Sequence, residues 1–209
     1  MKLRRVTAGC LLGAALVLSS CGTPADPAPA ADAPAGFSLG SLWPAPPGGD
    51  VVGEGTVLDD GSGPELCLGG VMESYPPQCG GIPLEGWDWD GVDGAEEAPG
   101  VTWGAYAVQG TYDGDTLALT QPPILLALYD PMAPSDPGPG DGGTATAAEL
   151  AAIQEGLPDR LGADLLSSTT TAGRLEVQVV WDDGTWQDAA DDDYGEGTVL
   201  IRSALREVG

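Results

Sequence analysis

Two Pro- and Gly-rich segments divide this chain and restrict where a compact fold can form. Residues 21–50 are rich in Pro and Ala, and residues 130–144 consist mostly of Pro, Gly and Asp. Segments of this composition lack the apolar side chains of a core and behave as linkers. The chain also has six Trp and 42% apolar residues. We therefore expect folded regions over residues 51–129 and 145–209, with residues 21–50 forming a flexible linker.

The N-terminal 20 residues have the composition of a secretory signal peptide. Lys2, Arg4 and Arg5 precede an apolar run from about residue 10 to residue 18, and small residues follow. A run of this length is too short to span a membrane as a helix. We predict that residues 1–20 direct export and that the rest of the chain lies outside the cytoplasm.

The end of the apolar run, Leu18-Ser19-Ser20-Cys21, resembles the lipobox of bacterial lipoproteins. The resemblance implies that Cys21 carries a diacylglycerol, becomes the first residue of the mature chain and is often acylated on its amine. Two or three acyl chains anchor a protein stably where one is marginal. The expected location is the extracytoplasmic face of the cell membrane. The alternative is an ordinary signal peptide with an incidental cysteine; Cys10 lies within the signal and would leave with it.

The charge of the mature chain excludes several kinds of function. Removal of Lys2, Arg4 and Arg5 leaves four basic and 32 acidic residues, so the formal charge moves from -25 to -28, and no His or Lys remains. Histidine general bases, Ser-His-Asp triads, lysine Schiff bases and P-loop lysines are therefore absent. Nucleic acid is a poor partner, because its binding requires neutralised phosphates. We predict no enzymatic activity and no cofactor, with an envelope protein or glycan as the partner besides the membrane.

Two cysteines remain in the mature chain beyond Cys21. Cys67 and Cys79 form a single pair outside the cytoplasm, where the simplest expectation is a disulfide. A metal-binding or redox pair would normally show a C-x-x-C spacing or a nearby His, and neither is present. The disulfide would hold the turn-forming residues between the two cysteines.

Residues 51–129 show the pattern of short strands. The clearest element is the segment 101–120, whose side chains alternate and whose Asp113-Gly114 pair predicts a two-residue hairpin turn. Five short strands and no convincing helix over this region predict a small antiparallel barrel, similar to an OB fold.

Residues 145–209 change to an alternating helix and strand pattern. Thr146 and Glu149 have the spacing of a capping box, and Thr185 is a candidate helix cap. The pattern predicts a helix over 146–155, a strand over 174–181, a helix over 186–193 and a strand over 198–201. This is a small α+β unit, expected to pack on or beside the barrel. The fold class as a whole is α+β and mostly β.

Acidic clusters and aromatic residues supply the candidate sites. Asp88, Asp90 and Asp93 form one cluster and residues 191–193 with Glu196 another, but neither matches the ligand spacing of a calcium loop. We predict no metal site. Chance pairs among 32 acids leave a carboxylate-dependent glycan hydrolase as a weak alternative.

The candidate ligand surface consists of three aromatic residues. Trp87 and Trp89 flank an aspartate and either stack on a sugar or fill the small core, and Tyr75 lies in the predicted disulfide loop. In the linker, Phe37 and Trp43 belong to a short apolar group that could dock on the folded part.

Three stretches together resemble a family of uncharacterised secreted proteins and lipoproteins from actinobacteria: CLGGVMESYPPQCGGIPLEGWDWD, WGAYAVQGTYDGDTLAL and WQDAADDDYGEGTVLIRSAL. The resemblance covers roughly residues 53–120 and 174–208, and its most specific part is SYPPQC. It supports export and the disulfide but implies no catalytic residue. Asp193 stands where that family has a basic residue. More weakly, residues 174–201 resemble half of a ferredoxin-like unit found in bacterial protease propeptides, which is a likeness of fold.

These observations favour a non-enzymatic, lipid-anchored binding module of the cell envelope. The alternatives are a protease-inhibitor or propeptide-like module and, more weakly, the glycan hydrolase.

Overall fold

The computed structural model describes residues 36–131 and 143–208. The predicted signal peptide, Cys21, the first part of the 21–50 linker and most of the 130–144 linker lie outside these residues.

Strands that precede the second linker form a closed barrel. They are β1 (Asp50–Asp59), β2 (Glu65–Cys67), β3 (Ile82–Glu85), β4 (Glu96–Ala98), β5 (Val101–Tyr112), β6 (Leu117–Leu119) and β7 (Ile124–Leu125). Five of them close in the order β1-β2-β3-β6-β5-β1. Neighbours in this ring are antiparallel except β3 and β6, which are parallel. The predicted class, mostly β with a small barrel, is confirmed, and the barrel is mixed rather than wholly antiparallel.

The long strand β5 pairs with both β1 and β6 in the barrel, and its two faces differ in burial. Tyr106, Val108 and Tyr112 occupy alternate positions and are buried in the core, as the period of a strand requires. The expected hairpin to β6 is present, but Tyr112 pairs with Leu117, so the loop has four residues rather than two. Asp113 stabilises this longer loop, because its Oδ1 accepts hydrogen bonds from two backbone N–H groups in it.

One glycine of β5 makes room for the largest core side chain of the barrel. A Cβ built on Gly104 would lie 2.6 Å from the ring of Tyr106, two positions along the same face. Any side chain at this position would push the Tyr106 ring out of its place. The glycine therefore allows a tyrosine to lie flat inside a narrow barrel, as glycines at barrel bends commonly do.

The second half of the chain adds two helices and a separate sheet. Its elements are α1 (Ala147–Leu161), β8 (Leu165–Thr171), β9 (Arg174–Val179), α2 (Thr185–Tyr194), β10 (Val199–Ser203) and β11 (Arg206–Glu207). Strands order as β10-β9-β8, and α2 connects the parallel pair β9 and β10. β8 is a strand that the sequence pattern did not predict, because its LLSSTTT run shows no apolar alternation.

Helix α1 begins as predicted and ends later than predicted. Thr146 and Glu149 form the capping box, with each side chain bonded to the other residue's backbone N–H. The helix continues past residue 155 to Leu161 and contains Pro158 in its last turns. Leu157 and Leu161 are fully buried, and this apolar stripe compensates for the hydrogen bond that a proline cannot donate.

Thr185, the predicted cap, is instead the first residue of α2, and the N-cap position is occupied by Gly184. Asp182, and not Thr185, accepts hydrogen bonds from the backbone N–H groups of Trp186 and Gln187, at 2.9 and 3.2 Å. Burial raises the pKa of Asp182, and these backbone hydrogen bonds act in the opposite direction. Within the described part of the chain, no helix is long and apolar enough to cross a membrane.

The second half of the chain contributes side chains to the barrel core in addition to having a core of its own. Val180 and Leu205, both from the C-terminal half, are buried in the barrel core. Strand β11 pairs with the start of β1 and so ties the end of the chain to the barrel. Residues 36–131 and 143–208 consequently belong to a single compact unit.

A short segment of the expected linker, residues 37–45, lies against α1 and α2; we call it the strap. Leu39 is buried in the core of the second half. Arg160 of α1 donates a hydrogen bond to the carbonyl of Leu39, and the indole of Trp186 donates to the carbonyl of Leu42 at 2.9 Å. The strap therefore docks through Leu39 and two backbone carbonyls, whereas Phe37 and Trp43 remain more than 60% exposed.

Candidate functional site

The predicted disulfide is present between Cys67 and Cys79. Cys67, at the end of β2, is buried in a small cluster with Leu58 and Trp103, against which Cys79 also packs. The bond closes the loop over residues 68–78, from which Leu68 packs into the barrel core and Tyr75 is exposed.

Tyr75 lies at the tip of the disulfide loop and is 77% exposed. Its ring meets Trp103 of β5 edge to face, at 5.6 Å between centroids. Val71 and Met72, on the same loop, are also exposed. The loop thus presents a small apolar surface.

Trp87 and Trp89 belong to a different cluster. Their rings contact each other edge to face at 5.1 Å, and Trp87 contacts Tyr106 at the same distance. Both pack against the barrel core. Their buried indole N–H groups make no hydrogen bond to any described residue. Because an unpaired buried donor costs roughly 1–3 kcal/mol, the packing of the rings must outweigh that cost.

The three predicted ligand residues do not form one surface. Tyr75 contacts Trp103, whereas Trp87 and Trp89 contact Tyr106. The β1–β5 pairing has a continuous register, so positions 103 and 106 lie on opposite faces of β5. The two indoles pack against the barrel core, whereas Tyr75 lies against the outer face of β5.

A cleft of about 640 Å³ opens beside the indoles. The parallel pairing of β3 with β6 ends at Glu85 and Ala118. The cleft lies between the segments that follow, residues 86–93 and 119–128. Tyr106 joins both walls, because its backbone pairs with Leu125 and its hydroxyl donates to the carbonyl of Asp93 at 3.0 Å.

The walls of the cleft differ in chemistry. The first wall carries the exposed carboxylates of Asp88, Asp90 and Asp93, and the second carries Pro, Leu and Ile side chains, with Leu128 at its end. None of the described residues that line the cleft is basic. Neither Trp87 nor Trp89 lines it, so their rings are not open platforms for a sugar.

The sequence pattern did not predict the structure of the second wall. Residues 124–129 read as one apolar strand, but β7 covers only Ile124 and Leu125, and a 3₁₀ helix follows over Leu126–Leu128. The Pro122-Pro123 pair before the strand was the available signal, because prolines end a central strand and favour an edge. Leu128 is left 79% exposed.

The acidic cluster near the C-terminus has local structural roles. Asp191 accepts a hydrogen bond from the backbone N–H of Gly197, and Asp193 forms a salt bridge of 2.8 Å with Arg160. Asp193 also accepts a hydrogen bond from the backbone N–H of Leu39 and thereby helps to hold the strap. Across residues 36–131 and 143–208, no three potential ligand side chains are grouped as a metal site.

The core beside the cleft contains tyrosines that resist ionisation. Burial raises the pKa of Tyr112 to about 12, with further contributions from Asp164, Asp115 and Asp113. Burial also raises the pKa of Tyr106, and Asp93 adds to the effect. Both phenols therefore keep their protons at neutral pH, and that of Tyr106 donates to the carbonyl of Asp93.

We expect the free energy of unfolding to fall as the pH rises from about 10 to about 12. In this window Tyr112 loses its proton in the unfolded chain, whose pKa is near 10.0, but keeps it in the fold. Below pH 10 this contribution is fully present. Urea denaturation at several alkaline pH values measures the slope. Tyr112→Phe should reduce it, whereas the exposed Tyr75→Phe is the matched control, and an unchanged slope in Tyr112→Phe would contradict the assignment.

Comparisons with known proteins give no relative to interpret this site. No protein-family model, no curated protein and no solved structure matches the chain.

Proposed function

We propose that this protein is an extracytoplasmic bacterial lipoprotein, anchored through Cys21, that binds a partner of the cell envelope without catalysing a reaction. The lipobox-like sequence and the basic, apolar N-terminus support the anchor. The resemblance to actinobacterial secreted proteins and lipoproteins agrees with it. The single observation that carries the binding role is the cleft between residues 86–93 and 119–128.

The cleft has the size and composition of a binding site. A volume of about 640 Å³ lies within the range of roughly 300–1,000 Å³ that is typical of ligand pockets. Its walls combine apolar side chains with a few carboxylates, which is the usual arrangement for binding with a defined orientation.

The position of the perturbed carboxyl groups favours binding over hydrolysis. A carboxylate-dependent hydrolase requires an acid whose pKa is raised, facing a second carboxylate across the substrate. Burial raises the pKa of Asp164 and of Asp182, and neither of these residues lines the cleft. Asp182 instead accepts hydrogen bonds from two backbone N–H groups in the first turn of α2.

We expect Cys21→Ala to abolish acylation and membrane retention. Two or three acyl chains, at about 0.8 kcal/mol per buried methylene, dominate membrane affinity. Cells grown with an alkyne-bearing fatty acid are fractionated, and the label and the protein are followed together. The wild-type protein should be labelled and membrane-bound.

Cys10→Ala is the matched control, because it removes a cysteine from the apolar run and leaves the lipobox intact. It should behave as the wild type. Fatty-acid label on Cys21→Ala, or membrane retention equal to that of the wild type, would overturn the anchor.

A second candidate, a protease-inhibitor or propeptide-like module, is supported by the disulfide loop. Rigid, exposed aromatic residues such as Tyr75 are typical anchors of protein interfaces. Assay of the purified chain against a panel of secreted proteases tests this role, and Tyr75→Ala should then relieve the inhibition.

A further inference from the structure

We propose that the cleft binds a basic peptide segment with interspersed aliphatic residues, presented by a protein of the envelope. The proposal rests on the proposed binding function and names the class of its ligand. It follows from the different chemistry of the two cleft walls.

The acidic wall selects a cation. Asp88, Asp90 and Asp93 follow one another along a short loop, and all three are exposed. The Oδ1 atom of Asp88 accepts a hydrogen bond from the backbone N–H of Asp90 at 2.9 Å, which orders the loop. With no described basic side chain in the lining, these charges are available to a ligand. Arginine suits them, because its planar guanidinium binds carboxylates through two hydrogen bonds.

The apolar wall selects aliphatic groups beside that cation. Ile124 is 45% exposed and Leu128 is 79% exposed, and Pro122-Pro123 stiffens the segment that carries them. Side chains alternate along an extended peptide, so one face can meet the carboxylates while the other covers Ile124 and Leu128.

The structure disfavours a glycan in the same place. Carbohydrate recognition relies on open aromatic faces, and the indoles beside the cleft are engaged with each other and with Tyr106. A polyamine or another simple cation would leave the apolar wall uncovered. A peptide that combines both features fits the carboxylates and the aliphatic side chains of the lining, which also includes the polar Thr120 and Gln121.

The test uses the lipidated chain in nanodiscs of neutral phosphatidylcholine, with empty nanodiscs as the blank. The probe is a fluorescein-labelled peptide of alternating Arg and Leu, about ten residues or 33 Å long when extended. Fluorescence anisotropy is measured near physiological salt, where the Debye length of about 8 Å suppresses general attraction to an acidic protein. Comparison peptides replace Leu by Ser, or Arg by Glu.

We expect saturable binding of the Arg/Leu peptide and weaker binding of both comparison peptides. The triple variant Asp88→Asn, Asp90→Asn and Asp93→Asn keeps the side-chain oxygen that orders the loop and should weaken binding about tenfold or more, equivalent to 1.4 kcal/mol or more. The matched control, Glu155→Gln, Asp159→Asn and Glu207→Gln, removes the same charge from exposed positions outside the cleft and should have little effect. Leu128→Ser should weaken binding, whereas Met72→Ser, exposed on another loop, should not.

Three results would overturn the proposal. Equal losses in the cleft and control triple variants would mean general charge attraction, and equal binding of the Arg/Ser peptide would mean a polycation site. No saturable binding of the Arg/Leu peptide would exclude this ligand class. If a chito-oligosaccharide then binds and the cleft variants weaken it, the binding function stands and the peptide proposal alone fails.

Discussion

Replacing Trp186 by Ala should lower the free energy of unfolding by about 3–5 kcal/mol, the usual cost of deleting a large aromatic side chain from a core. Trp186 is 2% exposed and lies in the core of the second half with α1, α2 and β9. Its indole also donates to the strap at Leu42. Removal therefore opens a cavity and releases the strap together. Urea denaturation followed by circular dichroism measures the change.

Trp43→Ala is the matched control for this variant. Trp43 meets Trp186 edge to face at 5.5 Å but is 61% exposed, so its loss should cost only about 1 kcal/mol, the value of such a ring pair. Equal costs for the two variants, or a cost below about 1 kcal/mol for Trp186→Ala, would show that Trp186 is not a core residue.

The double variant Cys67→Ala and Cys79→Ala should lose about 3 kcal/mol of stability, as expected for closing a loop of this length in the unfolded chain. The cysteines are separated by 12 positions, and Cys67 packs with Leu58 and Trp103 at the side of the barrel. Thermal and urea unfolding of the wild type and the double variant, each with and without a reducing agent, measure the effect.

The reducing agent provides an internal control. It should destabilise the wild type by nearly the same amount as the double substitution and leave the double variant unchanged. A wild type whose stability does not respond to complete reduction would contradict a stabilising role for the bond.

Structural features that depend only on residues close together in the sequence could be predicted. The capping box of Thr146 and Glu149 and the hairpin that joins β5 to β6 both follow from spacings of a few residues. Local errors arose where two local signals compete. Thr185 became the first residue of α2 rather than its cap, and Asp182, which lies before the Gly184 N-cap, accepts from two N–H groups of the first turn because each of its carboxylate oxygens can accept one.

Contacts between distant segments were not predictable. β3 and β6 are short strands with no distinguishing sequence pattern, so their parallel pairing could not be predicted. The cleft lies between the segments that follow these two strands. β8 is polar on its exposed positions and gains its strand structure from pairing with β9. The strap docks because α1 and α2 meet in space, although its own residues resemble those of the linker.

The candidate site shows the same division. The sequence indicated that Tyr75, Trp87 and Trp89 lie close along the chain, but the alternation of β5 sends their contacts to opposite faces. The acidic residues of the cleft form a recognisable cluster in the sequence. The apolar wall opposite them, with Ile124 and Leu128, comes from a segment more than 30 residues later.

The fold class, the disulfide and the available side-chain chemistry could be predicted, because composition, cysteine pairing and strand periodicity are properties of single residues and their near neighbours. The absence of His and Lys beyond residue 20 limits the chemistry in any fold. The docking of the strap, the burial of Val180 and Leu205 in the barrel core and the opposition of an acidic and an apolar wall are instead products of the folded structure. These outcomes depend on which surfaces meet when the barrel closes, and burial of apolar area between distant segments carries no local sequence signal.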